Sequence, residues 1–598
     1  MPRSSLSRSR HLFALVGLLV LAAGTNLATR AQPAALATGS LEGRVFNPTT
    51  GTGLANARVR VDTAGLESFT DGSGAYRLAG LGSGAATVSV SYLGFPSQSL
   101  TIIVRPDGPT VRDIELSARG AAGETVQLEA FTVVADREMS AQALAMNEQR
   151  HAPNLKNVVA IDEFGDRGTE NIGDFIRFIP GVSINDAGLV PNDVILRGFP
   201  SGNSGILVDG GEFASSRGTS RTVSLLEVPM GNISRVEVTK VPTPDLPASG
   251  LGGTINLISK SGFESRRPAF SAQAYALFNS LAGVRVDGGP RGALPTVSPN
   301  TIEPSFNFSY LHPVNRQLAF SFGGARTWRQ QPMDALDEVA TWNFVDNFQR
   351  QTLWQSVGQV LITTSGQLGV DWRLTPRDTL SASLQYRDAQ NFTSRNSLTI
   401  AYGTGATGGP TFSQGALTGV GTVTQGAAVN QLIGTETLHL NLKYAHRGAV
   451  WRFDGAGTWS DSRSANEDVD RGHFYTTPSS VSSIIVRGDG MGNAGAFIPT
   501  QYRAATRTGV LVDLYDGANY SIVTATSAQS RNRTTKTAGR LDAARDFLGA
   551  LPFTLKAGLA VDRMDRDQRA FGKTWNFRPN GATDATSRLA GRFDVFDE

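Results

Sequence analysis

Ile172–Val182 reads IGDFIRFIPGV, and four short runs follow it before the chain reaches Ser261: Ile195–Gly198 (ILRG), Ile206–Gly210 (ILVDG), Arg235–Lys240 (RVEVTK) and Gly250–Lys260 (GLGGTINLISK). Ile172, Phe175, Ile176 and Ile179 recur at helical spacing, and Pro180-Gly181 stops the pattern. The later runs are rich in β-branched residues and punctuated by glycine, which marks short strands. Asn171–Lys260 therefore predicts a small α+β domain.

Five submotifs in this order make the segment resemble the plug domain of TonB-dependent outer-membrane receptors. The residues that carry the resemblance are Pro180, Gly181, Arg197, Gly198, Asp209, Gly210, Glu237, Gly252, Gly253 and Asn256. One departure is Lys240-Val241-Pro242, where many members place a glycine before the proline. The resemblance implies a globular plug inside a transmembrane β-barrel, opened when an inner-membrane motor pulls. Gly198, Gly210, Gly252 and Gly253 are read as permitting turns or close backbone approach. Arg197 and Asp209 sit at strand ends, where a role in locking plug to barrel is favoured over ligand contact. Asn185–Asn192 and Ser215–Arg221 are polar loops suited to facing outward.

Outside this segment the composition narrows the class. The chain has 598 residues, enough for several domains, with 55 basic and 52 acidic side chains. That near balance lacks a nucleic-acid signature. Once the N-terminus is set aside, no apolar run is long enough to span a bilayer as a helix, so a membrane role requires a closed barrel. Cysteine is absent, which excludes disulfides, thiolate metal sites and cysteine nucleophiles. His11, His151, His312, His439, His446 and His473 do not form a helical metal pair.

The N-terminus carries Arg3, Arg8 and Arg10 ahead of an apolar run, Leu12–Ala23, of signal-peptide length. Residues 1–37 are assigned to this export signal, with cleavage between Ala28 and Ala37; an uncleaved anchor is the alternative. From Ser40 to Ser117, six alternating runs predict a β-sandwich: Leu41–Phe46, Ala57–Val61, Tyr76–Leu78, Ala86–Tyr92, Leu100–Val104 and Val111–Leu116. Gly43, Ala57, Val59, Thr70–Tyr76 and Tyr92–Phe95 resemble the carboxypeptidase-regulatory-like domain, which implies a non-catalytic module. Asp71 is read as part of a tight turn, since one carboxylate is too few for calcium.

Residues 124–150 form a linker. Within it Phe131, Thr132, Val133, Val134 and Ala135 are β-prone and stand where the resemblance places the TonB box. Such a box pairs its backbone with a sheet edge of the periplasmic motor protein. The same residues also fit a last strand of the sandwich. The plug is assigned to 151–265.

From residue 266 onward, strands of about ten residues alternate strictly. Leu438, Leu440, Leu442 and Tyr444 interleave with His439, Asn441 and Lys443; Leu368–Leu374 and Leu380–Arg387 behave alike. Tyr310, Trp328, Tyr444, Trp451 and Trp459 are expected at strand ends, as an interfacial girdle. The turns at His312–Asn315, Thr375–Asp378 and His446–Ala449 are short. Asp388–Thr435 and Ser460–Thr534 are long polar segments, the pattern of periplasmic turns and outer loops. Gly403–Gln425 is expected to be exposed and, by composition, disordered. Nine strands are counted up to Arg563, where plugged transporters have about 22. The expected fold is thus mainly β: an N-terminal β-sandwich, a small α+β plug, then antiparallel transmembrane strands of an incomplete barrel, as in a truncated or fragmentary product.

This pattern carries no zinc-ligand spacing, nucleophile elbow or phosphate loop; Gly80–Gly84 has the glycines but leads into a strand. No catalytic residue, cofactor or metal is assigned, and ligand-binding residues stay unassigned. The resemblance implies energy-coupled import of a scarce large ligand, with an oligosaccharide or other organic nutrient slightly favoured over a ferric siderophore or cobalamin. Surface binding or sensing without transport is the alternative, and a hydrolase is the reading from another class. The implied partners are TonB with its ExbB/ExbD motor, outer-membrane lipid and, as an option, a surface lipoprotein. The implied location is the outer membrane of a Gram-negative-type bacterium.

Overall fold

The computed structural model describes most of residues 38–117 and 145–576, apart from 162–170, 244–249, 278–302, 336–340, 344–347, 492–498, 548–552 and breaks of a few residues. The signal segment, the Asp71 turn, the candidate TonB box and Pro242 lie outside the described residues.

Strands β1 (Thr38–Phe46), β2 (Arg58–Val61), β3 (Leu66–Phe69), β4 (Ala75–Gly82), β5 (Gly84–Ser91), β6 (Gln98–Val104), β7 (Pro109–Val111) and β8 (Ile114–Glu115) build the N-terminal sandwich. One sheet runs β4-β1-β7 with β8 on β1, the other β3-β2-β5-β6. Val59, Val61, Val88 and Val90 alternate inward to meet Leu41, Leu78 and Leu81 in one core. Leu66–Phe69 was not among the six expected strands, and the single run Val111–Leu116 is split between β7 and β8, both parallel to β1. Glu42 on β1 lies 2.8 Å from Arg77 and 3.7 Å from Arg377 at a short turn of the C-terminal sheet.

The plug comprises β9 (Lys156–Ala160), α1 (Gly173–Ile176), β10 (Val182–Ala187), β11 (Val190–Leu196), β12 (Ser204–Val208), β13 (Gly211–Glu212), β14 (Ile233–Thr239) and β15 (Gly253–Ser259). A five-stranded sheet in the order β13-β12-β15-β14-β9 carries α1 and the β10-β11 hairpin. Ile172, Phe175, Ile176 and Ile179 are all buried against Val208, Val236, Val238 and Leu257, so the apolar stripe packs as its spacing predicts. Each such side chain contributes roughly 1.5–3 kcal/mol of burial. The helix itself is a single turn. Asn185–Asn192 is not a loop: it belongs to the β10-β11 hairpin, with Asn185 opposite Asp193.

The rest of the chain forms an antiparallel β-barrel wall of nine strands, each paired with the next: Ala269–Leu277, Glu303–Pro313, Leu318–Ala335, Phe348–Arg373, Asp378–Ala401, Gly421–Arg447, Trp451–Glu467, Ser530–Phe547 and Phe553–Ala570. Among the described residues the first and ninth are not paired with each other. Outward residues are apolar and exposed, as at Leu440 (44%) and Leu442 (49%), whereas inward His439 (0%) and Asn441 (1%) are buried against the plug. Short and long connections alternate through all nine strands.

Several strands are much longer than ten residues. Asp388–Thr435 is not a loop: the paired strands continue from Asp388 opposite Glu436 to Ala401 opposite Thr422. Ser460–Thr534 likewise begins and ends inside strands. These extensions are largely polar on both faces, so the apolar alternation ends before the hydrogen-bonded ladder does. For the same reason Trp328 and Trp459, read as strand ends, lie mid-strand; Trp459 sits opposite Leu440, and Trp328 packs on Val360, Ile362, Phe392 and Leu432. Trp451 does flank a short turn, stacked on Phe453 at 5.9 Å.

The expectation of disorder at Gly403–Gln425 is also overturned. Phe412–Gln414 pairs with Thr407–Gly409 and with Thr477–Asp489, and Gly421–Gln425 belongs to a wall strand. Tyr402, Tyr520, Ile400, Val423, Ile484 and Val486 form a separate core that holds the long connections together.

Candidate functional site at the plug and wall interface

The turn after β12 is where the plug meets the wall most closely. Asp209 and Gly210 both have positive φ, 53° and 79°. This lets the chain reverse into β13, whose edge faces the wall: a Cβ at Gly211 would run into Thr458 Cγ2. Asn256 Oδ1 accepts the Gly210 N–H at 2.8 Å, fixing the turn to β15. Asp209 then holds several donors at once. Its Oδ1 accepts the Ser259 N–H at 3.0 Å, and its Oδ2 accepts the hydroxyls of Ser259 (2.7 Å) and of Ser383 on the wall (3.2 Å). Asn441 Nδ2 donates to the carbonyls of Val208 and Asp209 at 3.3 and 3.1 Å, and Lys443 Nζ stands 4.0 Å from Asp209.

Further ties run the height of the wall. Lys536 reaches Glu212 at 2.6 Å, and Arg329 reaches Asp174 at 2.9 Å. Arg387 Nε donates to the Leu226 carbonyl at 2.7 Å, and Arg566 to the Ser215 carbonyl at 3.1 Å. Ser460 Oγ accepts the Ala214 N–H at 3.2 Å, while Asp371 accepts Ser261 Oγ (2.6 Å) and the Gly262 N–H. Such bonds are each worth about 1 kcal/mol net.

Near the loop end, the polar segment after β13 turns inward. Ser215 and Ser216 are buried, contrary to the outward loop expected of Ser215–Arg221; residues 218–221 lie outside the described residues. Glu227 accepts the Ser216 N–H at 3.0 Å and its hydroxyl at 2.8 Å, and Ser462 of the wall at 3.3 Å. Burial pushes the Glu227 carboxyl well above the usual range, although the Ser215 and Ser216 hydrogen bonds and the Arg217 charge oppose it.

At the opposite edge of the plug sheet a charged network links four residues. Lys156 lies 2.7 Å from Glu148 and 2.8 Å from Glu237, and Arg235 lies 2.8 Å from Glu148. Burial works against ionising Glu148, yet Arg235, Glu237 and Lys156 together hold its carboxyl down at about 2. Burial and the Glu148 charge raise Glu237. Glu237 also accepts Asn256 Nδ2 at 3.3 Å, which joins this network to the Asp209 turn.

The plug-motif residues thus separate into two groups. Asp209, Gly210 and Asn256 are brought together between sheet and wall, and Glu237 joins them from the charged network through its bond to Asn256. Arg197 is exposed, with Nε donating to the Gly252 carbonyl at 3.3 Å, so its described bonds stay inside the plug. Gly181 accepts the Arg197 N–H at 3.0 Å just after Pro180, Gly198 turns the chain after β11, and Gly253 opens β15. Sequence reasoning missed Glu212, Asp174, Lys536, Arg329 and Arg387. Their signal was faint: polar residues at inward positions of strands whose register was not readable.

The family model described as TonB-dependent Receptor Plug Domain matches residues 148–254, and that of the carboxypeptidase regulatory-like domain matches residues 40–117. No curated protein matches. Among solved structures, the chain is similar to the ferric enterobactin receptor of Pseudomonas aeruginosa at 11% identity and a TM-score of 0.28, over 66% of this chain and 63% of that one. It is also similar to the outer membrane transporter YddB of Escherichia coli at 11% identity and a TM-score of 0.31, over 71% and 56%. A third is the ferric-catecholate import receptor Fiu of Escherichia coli, at 11% identity and a TM-score of 0.25, over 70% and 67%. The chain therefore spans less than two thirds of the first and second of these, and likeness at such scores carries no argument about ligand. Residues 148–254 thus match a TonB-dependent receptor plug domain, seated against an antiparallel strand wall, with a carboxypeptidase regulatory-like domain at residues 40–117 ahead of it.

Proposed function

We propose that the protein imports a scarce, large ligand across the outer membrane by energy-coupled displacement of its plug. The reading rests on one observation above others: the plug meets the wall mainly through hydrogen bonds and a few ion pairs. Asn441, Ser460, Ser462, Ser383 and Gln385 all present polar groups to it. Water can replace such contacts one by one, whereas a continuous apolar core would have to be exposed at once. Ligand binds on the loop side, the segment Phe131–Ala135 is taken up by TonB through strand addition, and pulling unseats the plug. An oligosaccharide has no more support from the comparisons than a ferric siderophore or cobalamin.

The natural absence of cysteine supplies the test. Single cysteines placed from Phe131 to Ala135 are expected to form disulfides with a cysteine-bearing TonB in the periplasm, and Val133→Pro is expected to abolish the cross-link. Failure of all five positions to cross-link overturns the import reading in favour of surface binding or sensing.

A further inference from the structure

We propose that the N-terminal sandwich is docked on the rim of the wall, with the outer face of the sheet β4-β1-β7 as its docking surface and the short turn Thr375–Asp378 as its partner. Along β1 the side chains alternate: Leu41 and Val45 enter the sandwich core, so Glu42 and Arg44 point to the outer face. On β4, which sets Arg77 opposite Glu42, Tyr76 and Leu78 enter the core and Arg77 points outward. Glu42 and Arg77 therefore make their 2.8 Å ion pair on the face that a free sandwich would turn to water.

That pair is nevertheless covered. Each of its side chains is only 16% exposed, whereas the sandwich's ion pairs Arg58 with Glu67 and Arg60 with Asp62 are 39–47% exposed. Val111, the neighbour of Glu42 on β7, is 71% exposed, so the cover is local to the pair. Against it lies Arg377, whose Nη2 stands 3.7 Å from the same Glu42 oxygen that faces Arg77. Burial holds the Arg77 guanidinium below its ordinary proton affinity; Glu42 opposes this, and the nearby Arg377 charge adds to it. One carboxylate thus serves two guanidiniums, one from the sandwich and one from the wall.

The turn that presents Arg377 is itself fixed. Asp378 accepts the Tyr444 hydroxyl at 2.6 Å, and His446 Nδ1 stands 2.7 Å from the same oxygen. The Arg377 carbonyl accepts the Arg447 N–H at 2.8 Å. Domains of one chain move relative to one another unless a contact joins them, and being tethered makes even a small contact populated. Docking through one shared carboxylate is accordingly a releasable latch. Ser117, where the sandwich ends, and Ala145, where the described plug begins, are then both held on one wall. A pull on Phe131–Ala135 meets resistance at the sandwich as well as at the plug. That consequence rests on the import reading; the docking itself does not.

The test uses the full chain in detergent micelles, with nitroxide labels on Thr101→Cys of the exposed side of β6 and Val314→Cys of a short wall turn; the chain has no cysteine of its own. Double electron–electron resonance is expected to give one narrow distance peak. R377E and E42Q are each expected to lose that peak to a broad distribution, and R377K to keep it. E67Q, which breaks an exposed ion pair of the other sheet, and R316Q, on the neighbouring short turn, are expected to keep it as well. A broad distribution in the labelled protein without further change overturns the inference, because the sandwich then moves freely. A narrow peak that survives R377E also overturns it, because the Glu42 contact then holds nothing. This readout involves no TonB, so its failure is distinct from failure of the cross-link at Phe131–Ala135.

Discussion

Lys536 on the eighth wall strand holds its Nζ 2.6 Å from Oε2 of Glu212 on the plug, with the two side chains only 14% and 9% exposed. This ion pair bridges plug and wall, and it is shielded enough that losing Glu212 leaves the Lys536 charge stranded. Glu212→Ala is expected to weaken plug seating by about 3 kcal/mol. Glu212→Ala with Lys536→Met is expected to recover much of this. With Ser216→Cys at a buried plug position as the sole thiol, the urea midpoint at which that thiol reacts with a maleimide measures both; a double variant no better seated than the single one refutes the stranded-charge account.

The Asp209 turn makes a second, geometric prediction. Asp209→Ala removes acceptors from the Ser259 N–H and from two hydroxyls, so a loss of about 1–3 kcal/mol is expected. Asp209→Asn keeps one carbonyl oxygen and tolerates the left-handed backbone, so it is expected to lose less. Hydrogen exchange of the Ser259 amide distinguishes the two: protection drops in the alanine variant first.

Glu227 sets a pH dependence. Its folded-state affinity for a proton is raised by burial, so the stability it contributes is full below the ordinary glutamate range and is lost as pH climbs through the raised value. Plug release is therefore expected to need less urea as pH rises above the ordinary glutamate range. Glu227→Gln is expected to flatten that slope, because the amide keeps an acceptor for Ser216 and carries no charge. An unchanged slope in the variant assigns the effect to another group.

Glu148 works in the opposite direction. Its carboxyl is held at about 2, so its stabilising contribution is present above the ordinary glutamate value and is lost as pH falls toward 2. Glu148→Gln leaves Lys156 and Arg235 to share Glu237, and a loss of roughly 3 kcal/mol in plug stability at neutral pH is expected. Thermal melts at about pH 7 and about pH 3 check this: the wild type and the variant converge at the lower pH.

The lipid-facing band makes the last prediction. Leu440→Arg on the outward face is expected to cost about 2–4 kcal/mol of wall stability in a bilayer, and much less in a loosely packed micelle. A similar cost in both surroundings indicates that Leu440 packs against protein.

The local sequence determined a good deal of this molecule. Helical spacing at Ile172, Phe175, Ile176 and Ile179 identified the stripe that enters the plug core, and period-two alternation from Leu438 to Tyr444 assigned outward and inward faces correctly. Both signals reflect burial of one face of a regular element, which depends only on residues a few positions apart. The length of the wall strands was not legible, because beyond the apolar band the ladder continues with mostly polar residues on both faces and backbone pairing leaves no mark on composition. Tyr402 comes from one long connection and Ile484 and Tyr520 from another, so the core that orders Gly403–Gln425 exists only once those two connections meet. The same holds for Lys536 with Glu212 and Arg329 with Asp174. Each is an ordinary charge in sequence, and only the register of the wall around the plug brings the partners within bonding distance.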